Sequence, residues 1–296
     1  MENRHAYLIM THGDFKLLKK LLVLLDDTRN DIYIHVDRKV KNFIVDEYRE
    51  LVKKARLFFT KRINVAWGGY SQIEAELILL KEAVKEEHSY YHLLSGADLP
   101  IKTQNEIHDF FAVDNKKNYI GIDAVGIEES YALSRIGRYH LLQDYTGRGL
   151  QGRNRYVVLI CDILEKYLLK LQEYLKVNRL KNWNICVYKG PNWFSITHSL
   201  AKYIVQKEKY IKKNFGNGIC ADELFLQTIA MNSEYRNSIE NNCLRYIDWK
   251  RGKPYIFQLD DFGELCKSDK LFARKFSYEK HPDIVEQIYQ YLLSDH

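Results

Sequence analysis

The N-terminal stretch up to Val36 restricts the fold more than any other part of the chain. Ala6-Tyr7-Leu8-Ile9-Met10 is a short apolar run ending in Thr11-His12-Gly13. Phe15, Leu17, Leu18, Leu21, Leu22 and Leu25 then recur with helical spacing, and Asp31-Ile32-Tyr33-Ile34-His35-Val36 is rich in β-forming residues. Strand, helix, strand in this order opens a parallel sheet, because a parallel return needs a crossover and a helix supplies one. Ligands of such sheets bind beyond the carboxyl ends of the strands. Asp37 therefore stands where an acid can hydrogen-bond a ribose or a base, with a routine turn residue as the equal alternative. No G-x-G-x-x-G follows the first strand, which argues against a dinucleotide.

The alternation continues. Trp67-Gly68-Gly69-Tyr70-Ser71 precedes a predicted helix over 72–85, with Ser71 as its cap and Glu74 completing a capping box. The two glycines allow close backbone approach or positive φ. Tyr90–Leu94 reads as a buried strand that runs into Ser95-Gly96-Ala97-Asp98-Leu99-Pro100. Asp98 is thus at a second strand end, either a site residue or a structural turn. A strand is predicted over 118–123. The region 134–148, with Arg135 and Tyr139, is polar, aromatic and glycine-punctuated like a binding loop. Strand-like runs follow at 185–189 and 193–197, a helix over 199–212, a late strand at 244–249, the segment 271–276, and a closing helix over 282–293. No Pro/Gly/Ser-rich linker interrupts the 296 residues, so one domain is expected over 1–296, with a nucleotide-binding half (1–125) and an acceptor and catalytic half (126–296).

Composition removes several classes. Five scattered cysteines without a C-x-x-C pair argue against a disulfide framework or a zinc site, and point to a reduced, cytoplasmic protein. No apolar run reaches the length of a membrane span. The net charge is +6, with Lys and Arg concentrated at 166–181, 202–213 and 245–280, so anionic partners other than nucleic acid are expected. The first of these runs lies on an amphipathic helix over 163–176. A solvated face on a core-packed helix is the commoner cause of such a pattern; peripheral contact with an anionic membrane, through 163–181, is the other.

The stretch 190–229 carries the chemistry. It opens Gly190-Pro191-Asn192-Trp193-Phe194 and closes Cys220-Ala221-Asp222-Glu223-Leu224-Phe225. Its second half reads as a turn feeding a helix with Asp222 as N-cap. Glu223 would then sit in the first helical turn, where the dipole favours its carboxylate by roughly 0.3–1 kcal/mol and suits it to act as a general base. Simple helix capping by Asp222 and Glu223 is the rival explanation. Sugar transfer from a nucleotide needs positive charge at the departing diphosphate. The chain has no Asp-x-Asp for a metal, so Arg251, Lys253, Arg274 and Lys275 are the candidates, against solvated surface charge for each. No Walker A, H-E-x-x-H or G-x-S-x-G is present.

Seven of these segments, in this order, resemble the Core-2/I-branching enzyme family, glycosyltransferase family 14: 6–12, Ile34–Lys39, Trp67–Ser71, Leu94–Thr103, Gly190–Thr197, Asp222-Glu223 and Phe272–Phe276. The resemblance implies an α/β fold of GT-A type, with a Rossmann-like half and a mixed central sheet. It also implies inverting, metal-independent transfer from a UDP-sugar, usually UDP-N-acetylglucosamine, to a saccharide hydroxyl, with no cofactor. The family's base falls on Glu223, its diphosphate-binding cations on Lys275 and on Arg251 or Lys253, and its uridine-contacting acid on Asp37. Trp193 and the Arg135–Tyr139 region are similar to acceptor-side positions. The lack of the eukaryotic members' anchor and disulfides suggests a prokaryotic cytosolic form, acting on a lipid-linked or capsular saccharide in polysaccharide biosynthesis. A non-catalytic saccharide-binding module and a sugar-nucleotide nucleotidyltransferase are the competing classes.

Overall fold

The protein is seen in a computed structural model that describes residues 4–113, 116–123, 129–146 and 154–294. Among these the strands are β1 (His5–Thr11), β2 (Asn30–Val36), β3 (Arg56–Phe59), β4 (Tyr90–Ser95), β5 (Asp98–Pro100), β6 (Asn118–Ile120), β7 (Phe194–Thr197), β8 (Ile239–Glu240), β9 (Arg245–Ile247) and β10 (Phe272–Arg274). The helices are α1 (Phe15–Leu24), α2 (Val45–Arg49), α3 (Tyr70–Ala83), α4 (Gln104–Val113), α5 (Glu129–Ala132), α6 (Arg155–Tyr174), α7 (His198–Gln206), α8 (Glu208–Phe215), α9 (Phe225–Met231), α10 (Phe262–Lys267) and α11 (Pro282–Leu293).

The central sheet runs β3-β2-β1-β4-β7-β6-β8. Strands β3, β2, β1 and β4 are parallel, β7 is antiparallel to both of its neighbours, and β8 is parallel to β6. This is the expected mixed α/β arrangement with a Rossmann-like parallel half. Tyr7, Ile9, Ile32 and Ile34 pack on one face against α1, α4 and α11, while Ala6, Leu8, Tyr33 and Leu93 pack on the other against α3, α7, α8 and α9. Because both faces are covered, β1 and β2 read as unbroken apolar runs instead of alternating ones.

Leaving β4 at Ser95, the chain enters β5 at Asp98 and so starts a second sheet, β5-β10-β9. Antiparallel pairing of β10 with β5 sets Arg274 opposite Asp98. Arg245, on β9, ties the two sheets together. Its buried guanidinium donates to Ser195 Oγ (2.7 Å), Phe194 O (2.8 Å) and Leu93 O (2.9 Å) and lies 4.8 Å from the Phe272 ring centre. Burial pulls its pKa down to about 10.

Several local expectations give way. The helix after the double glycine starts at Tyr70 with Gly69 as its N-cap and no capping box, since Ser71 Oγ is taken by the backbone N–H of Ala66 at 2.8 Å. Residues 185–189 form no strand. The helix foreseen over 199–212 is two, α7 and α8, which break at Lys207. The five cysteines are free, as expected. Gly147 and Arg148 of the polar loop lie outside the described residues.

The basic helix α6 also departs from its commoner explanation. Glu165 is its buried side chain, Leu168 and Leu169 are half-buried, and Tyr156, Leu159, Ile160, Ile163, Leu164, Tyr167, Leu171 and Tyr174 are exposed. No helix among the described residues is long and apolar enough to cross a membrane.

Candidate functional site

Four chain segments meet at the carboxyl ends of the parallel strands. Beyond β1 lies His12, which feels the charges of Asp37, Lys275, Lys39 and Arg274 together. Beyond β2, the N–H of Asp37 donates to Thr11 O (2.9 Å). Its buried carboxylate closes a turn by accepting from Lys39 N (2.9 Å) and pairs with Lys39 Nζ at 3.3 Å. Beyond β4, Asp98 is fully buried. It accepts from Ser95 N (2.7 Å), Ser95 Oγ (3.0 Å) and the Arg274 guanidinium (2.7 Å). Asp98 thus reaches the site through Arg274, which it holds in place. The strand register is the cause, because a buried acid and an arginine directly across a ladder neutralise each other.

Lys275 follows β10. Its backbone carbonyl accepts from Phe257 N at 3.0 Å, and the next residues are anchored by Asp14, which accepts from Tyr278 N (2.8 Å) and Ser277 Oγ (3.0 Å). The Lys275 ammonium makes no hydrogen bond or ion pair among the described residues. Partial burial and the nearby charges of Arg274 and Lys280 hold its pKa below the ordinary lysine value. It is an ammonium available to an anion.

The two other expected cations differ. Arg251 is spent on Asp248, Asp261 and Glu264 and stacks 4.3 Å from the Tyr255 ring centre, so its guanidinium serves the fold of its own loop. Lys253 is exposed and makes no contact among the described residues. The loop is close to the site, since Tyr255 O accepts from Lys275 N at 3.4 Å.

A second group gathers around Glu223. Cys220, at φ 47°, starts a single 3-10 turn, Ala221–Glu223, and α9 begins only at Phe225. Asp222 is therefore not a helix N-cap, and Glu223 is not in the first turn of α9; the dipole argument lapses. The reason is local: Gln72 Nε2 draws the Asp222 carboxylate inward at 3.3 Å. Glu223 is half-buried and its carboxylate has no direct partner among the described residues, yet it lies in the fields of Arg135 and Lys189.

Two further acids lie behind it. Asp222 is buried with Oδ1 unpartnered, and burial followed by the charge of Glu223 raises its pKa to about 7. Glu76, on α3, is fully buried. One oxygen accepts from Asn192 Nδ2 at 2.8 Å and the other is unpartnered; burial, then the charge of Asp222, raises its pKa well above the carboxylate range. Glu76, Gln72, Asn192 and Lys189 were not singled out from the sequence. Glu76 reads there as one more acid of a charged helix, and only its burial separates it from Glu74.

One short loop joins the cations to the acids. Gly190 N donates to Glu223 O (3.0 Å), Asn192 to Glu76, and the Trp193 ring carries the Arg274 guanidinium 4.7 Å from its centre. Gly190 is required by close approach, because a Cβ there would run into the Gly121 carbonyl. Gly68, at φ 70°, likewise brings its carbonyl to Cys220 N at 2.8 Å, so the double glycine braces the turn that carries Glu223. Tyr139 does not join this group. It stacks on Arg179 at 4.7 Å and lines a separate cavity of about 480 Å³ with Trp183 and Tyr210.

A family model described as Core-2/I-branching enzyme matches residues 5–266. The chain belongs to that family. Xylosyltransferase 2 of Rattus norvegicus is 24% identical over 314 residues, covering 96% of this chain and 33% of that protein. Beta-glucuronosyltransferase GlcAT14A of Arabidopsis thaliana is 24% identical over 301 residues, covering 93% and 62%. This family member thus spans a third of the one relative and under two thirds of the other. Among solved structures, mouse xyloside xylosyltransferase 1 superposes over 90% of this chain and 96% of its own, with a TM-score of 0.37 and 11% identity. The sequence relatives are both named for sugar transfer.

Proposed function

We propose that this Core-2/I-branching family member transfers a sugar from a UDP-sugar to a saccharide hydroxyl with inversion. The observation that supports the reading is the 190–193 loop, which bonds the Glu223 backbone at one end and stacks on Arg274, the neighbour of Lys275, at the other; among the described residues the Glu223 carboxylate and the Lys275 ammonium are both without a partner. Glu223 accepts the proton of the acceptor O–H as that oxygen bonds to the anomeric carbon. The bond from that carbon to the phosphate oxygen breaks on the opposite face, and UDP leaves carrying the electron pair. Lys275, with Arg274 beside it, offsets the charge that grows on the diphosphate, while Asp37 and Lys39 flank the nucleoside. Trp193 and Arg135 line the acceptor side. A free saccharide and a lipid-linked one both suit it.

UDP-N-acetylglucosamine is the donor expected from the family, and the relatives' names add UDP-xylose and UDP-glucuronic acid. A UDP-release assay over these donors, with thermal shift alongside, tests the reading; a ligand at 100 times its Kd adds about 2.7 kcal/mol. Release from at least one donor is expected, and it should persist in EDTA. Lys275→Ala should weaken UDP binding. No release from any donor, or pyrophosphate release from UTP, would overturn the proposal, as strict dependence on Mn²⁺ would its metal-free form.

A further inference from the structure

Helix α6 turns much of its apolar surface outward. On its inner side Glu165 and Gln172 dock on the chain by hydrogen bonds, beside the half-buried Val158, Cys161, Leu168 and Leu169. Glu165 accepts from Leu142 N at 3.0 Å, and Gln172 exchanges bonds with the Tyr139 backbone at 2.7 and 2.9 Å. Its outer side carries the apolar residues. Tyr156 is 75% exposed, Ile163 56%, Tyr167 64% and Tyr174 82%, and Ile160 and Leu171 are exposed beside them. At 100° per residue, Tyr156, Ile163, Tyr167 and Tyr174 fall on one line opposite Glu165, with Lys166 and Lys170 along one edge. Ordinary surface helices do the reverse.

We propose that α6 lies on an anionic lipid surface, with its tyrosine and aliphatic face at headgroup depth and its lysines against the lipid phosphates. Three features select this occupant. The exposed charge is predominantly basic: Lys170, Arg155 and Lys176 have no acidic partner among the described residues, whereas Asp162 is paired with Lys166 at 2.7 Å and Glu173 faces Arg138 at 3.7 Å. The outward aromatic residues are tyrosines, whose rings are apolar and whose hydroxyls need water or headgroups, as residues at a membrane interface do. A second copy fits poorly, because a heptad seam through Tyr156, Ile160, Ile163, Tyr167 and Tyr174 would place Lys170 in its dry centre. The helix lies on the surface and does not span it, consistent with its charges. Residues Tyr139–Leu142, on which α6 rests, follow directly on Arg135, so the acceptor side of the Glu223 site would be near the lipid.

Flotation with vesicles tests this without any sugar chemistry, so its outcome is separate from that of the transfer reading. The full chain is mixed with vesicles of phosphatidylcholine alone or with a third phosphatidylglycerol, at low and high salt. It should float with the anionic vesicles and much less with the neutral ones. Ile163→Glu with Tyr167→Glu should abolish flotation while leaving donor-dependent UDP release and the unfolding transition intact. Lys166→Gln with Lys170→Gln should weaken flotation about twenty-five-fold, at about fivefold per cation near an anionic surface. No flotation on anionic vesicles, equal flotation on both, or a dimer in light scattering that the Ile163/Tyr167 double variant dissolves would each overturn the proposal.

Discussion

The two ends of the site treat buried charge in opposite ways. At the donor end every buried acid is paired: Asp98 has three partners including Arg274, and Asp37 has its own turn and Lys39. At the acid end, Asp222 and Glu76 are also buried and each has an oxygen with no partner among the described residues, as has the Glu223 carboxylate in front of them. Pairing makes the first end a fixed frame whose remaining open charge is an ammonium. At the second end burial without pairing raises the pKa of Asp222 to about 7 and that of Glu76 well above the carboxylate range, so these two acids keep their protons more readily than ordinary carboxyls do.

Four measurements can break or sharpen that contrast. The largest effect is expected for Glu223→Gln, which should lower kcat by about 10²–10⁴-fold and leave UDP affinity unchanged. Full turnover would remove Glu223 from the mechanism. Asp98→Ala leaves Arg274 without its buried partner and should cost about 3–5 kcal/mol in denaturant unfolding, with weaker donor binding; a loss under 1 kcal/mol would mean that the pair does not frame the site.

The third concerns pH. His5, His92 and His108 are buried together, with His92 Nε2 at 3.1 Å from His5 Nδ1 and the His5 and His108 rings stacked at 4.0 Å. Burial first, and one another's charge or that of Arg29, keep all three below the ordinary histidine value, His108 at about 4. The unfolded chain takes up these protons near pH 6.5 and the folded one does not. Stability should therefore fall as pH drops from about 6.5 toward 4, by up to about 1.4 kcal/mol per pH unit for each histidine. Asp222 contributes with the opposite sign, being easier to protonate when folded. A His108→Gln variant with an unchanged slope between pH 7 and 5 would refute the assignment. The smallest effect is reserved for Glu76→Gln: because burial holds Glu76 protonated, its amide should unfold within about 1 kcal/mol of the parent at pH 7, and a larger loss would show that the carboxylate is charged.

The sequence was most readable where one element explains each residue. The β1–α1–β2 opening follows from period and composition, and the closing helix matches Pro282–Leu293 residue for residue. At Glu223 the expected helix end gives way to a single 3-10 turn, because α9 begins only at Phe225. The misreadings share a cause. Ser71, Asp222 and Arg251 each suit a helix end or an open phosphate site in the sequence pattern, but the Ala66 N–H, Gln72 of α3 and a cluster of acids take their side chains first. Glu76 and Asn192 are 116 positions apart, and nothing in either neighbourhood signals their bond. In α6 the periodicity is right, but the tyrosine and isoleucine stripe faces outward, because a hydrophobic stripe states that a helix has an apolar side and not what that side meets.

The Trp193 ring covering Arg274 has a practical consequence. A guanidinium that turns toward a diphosphate uncovers one face of an indole, and an indole's emission responds to its surroundings. The protein therefore carries its own optical gauge of donor-site occupancy, readable by titrating UDP against intrinsic fluorescence and silenced, if the stack is its source, by Trp193→Phe.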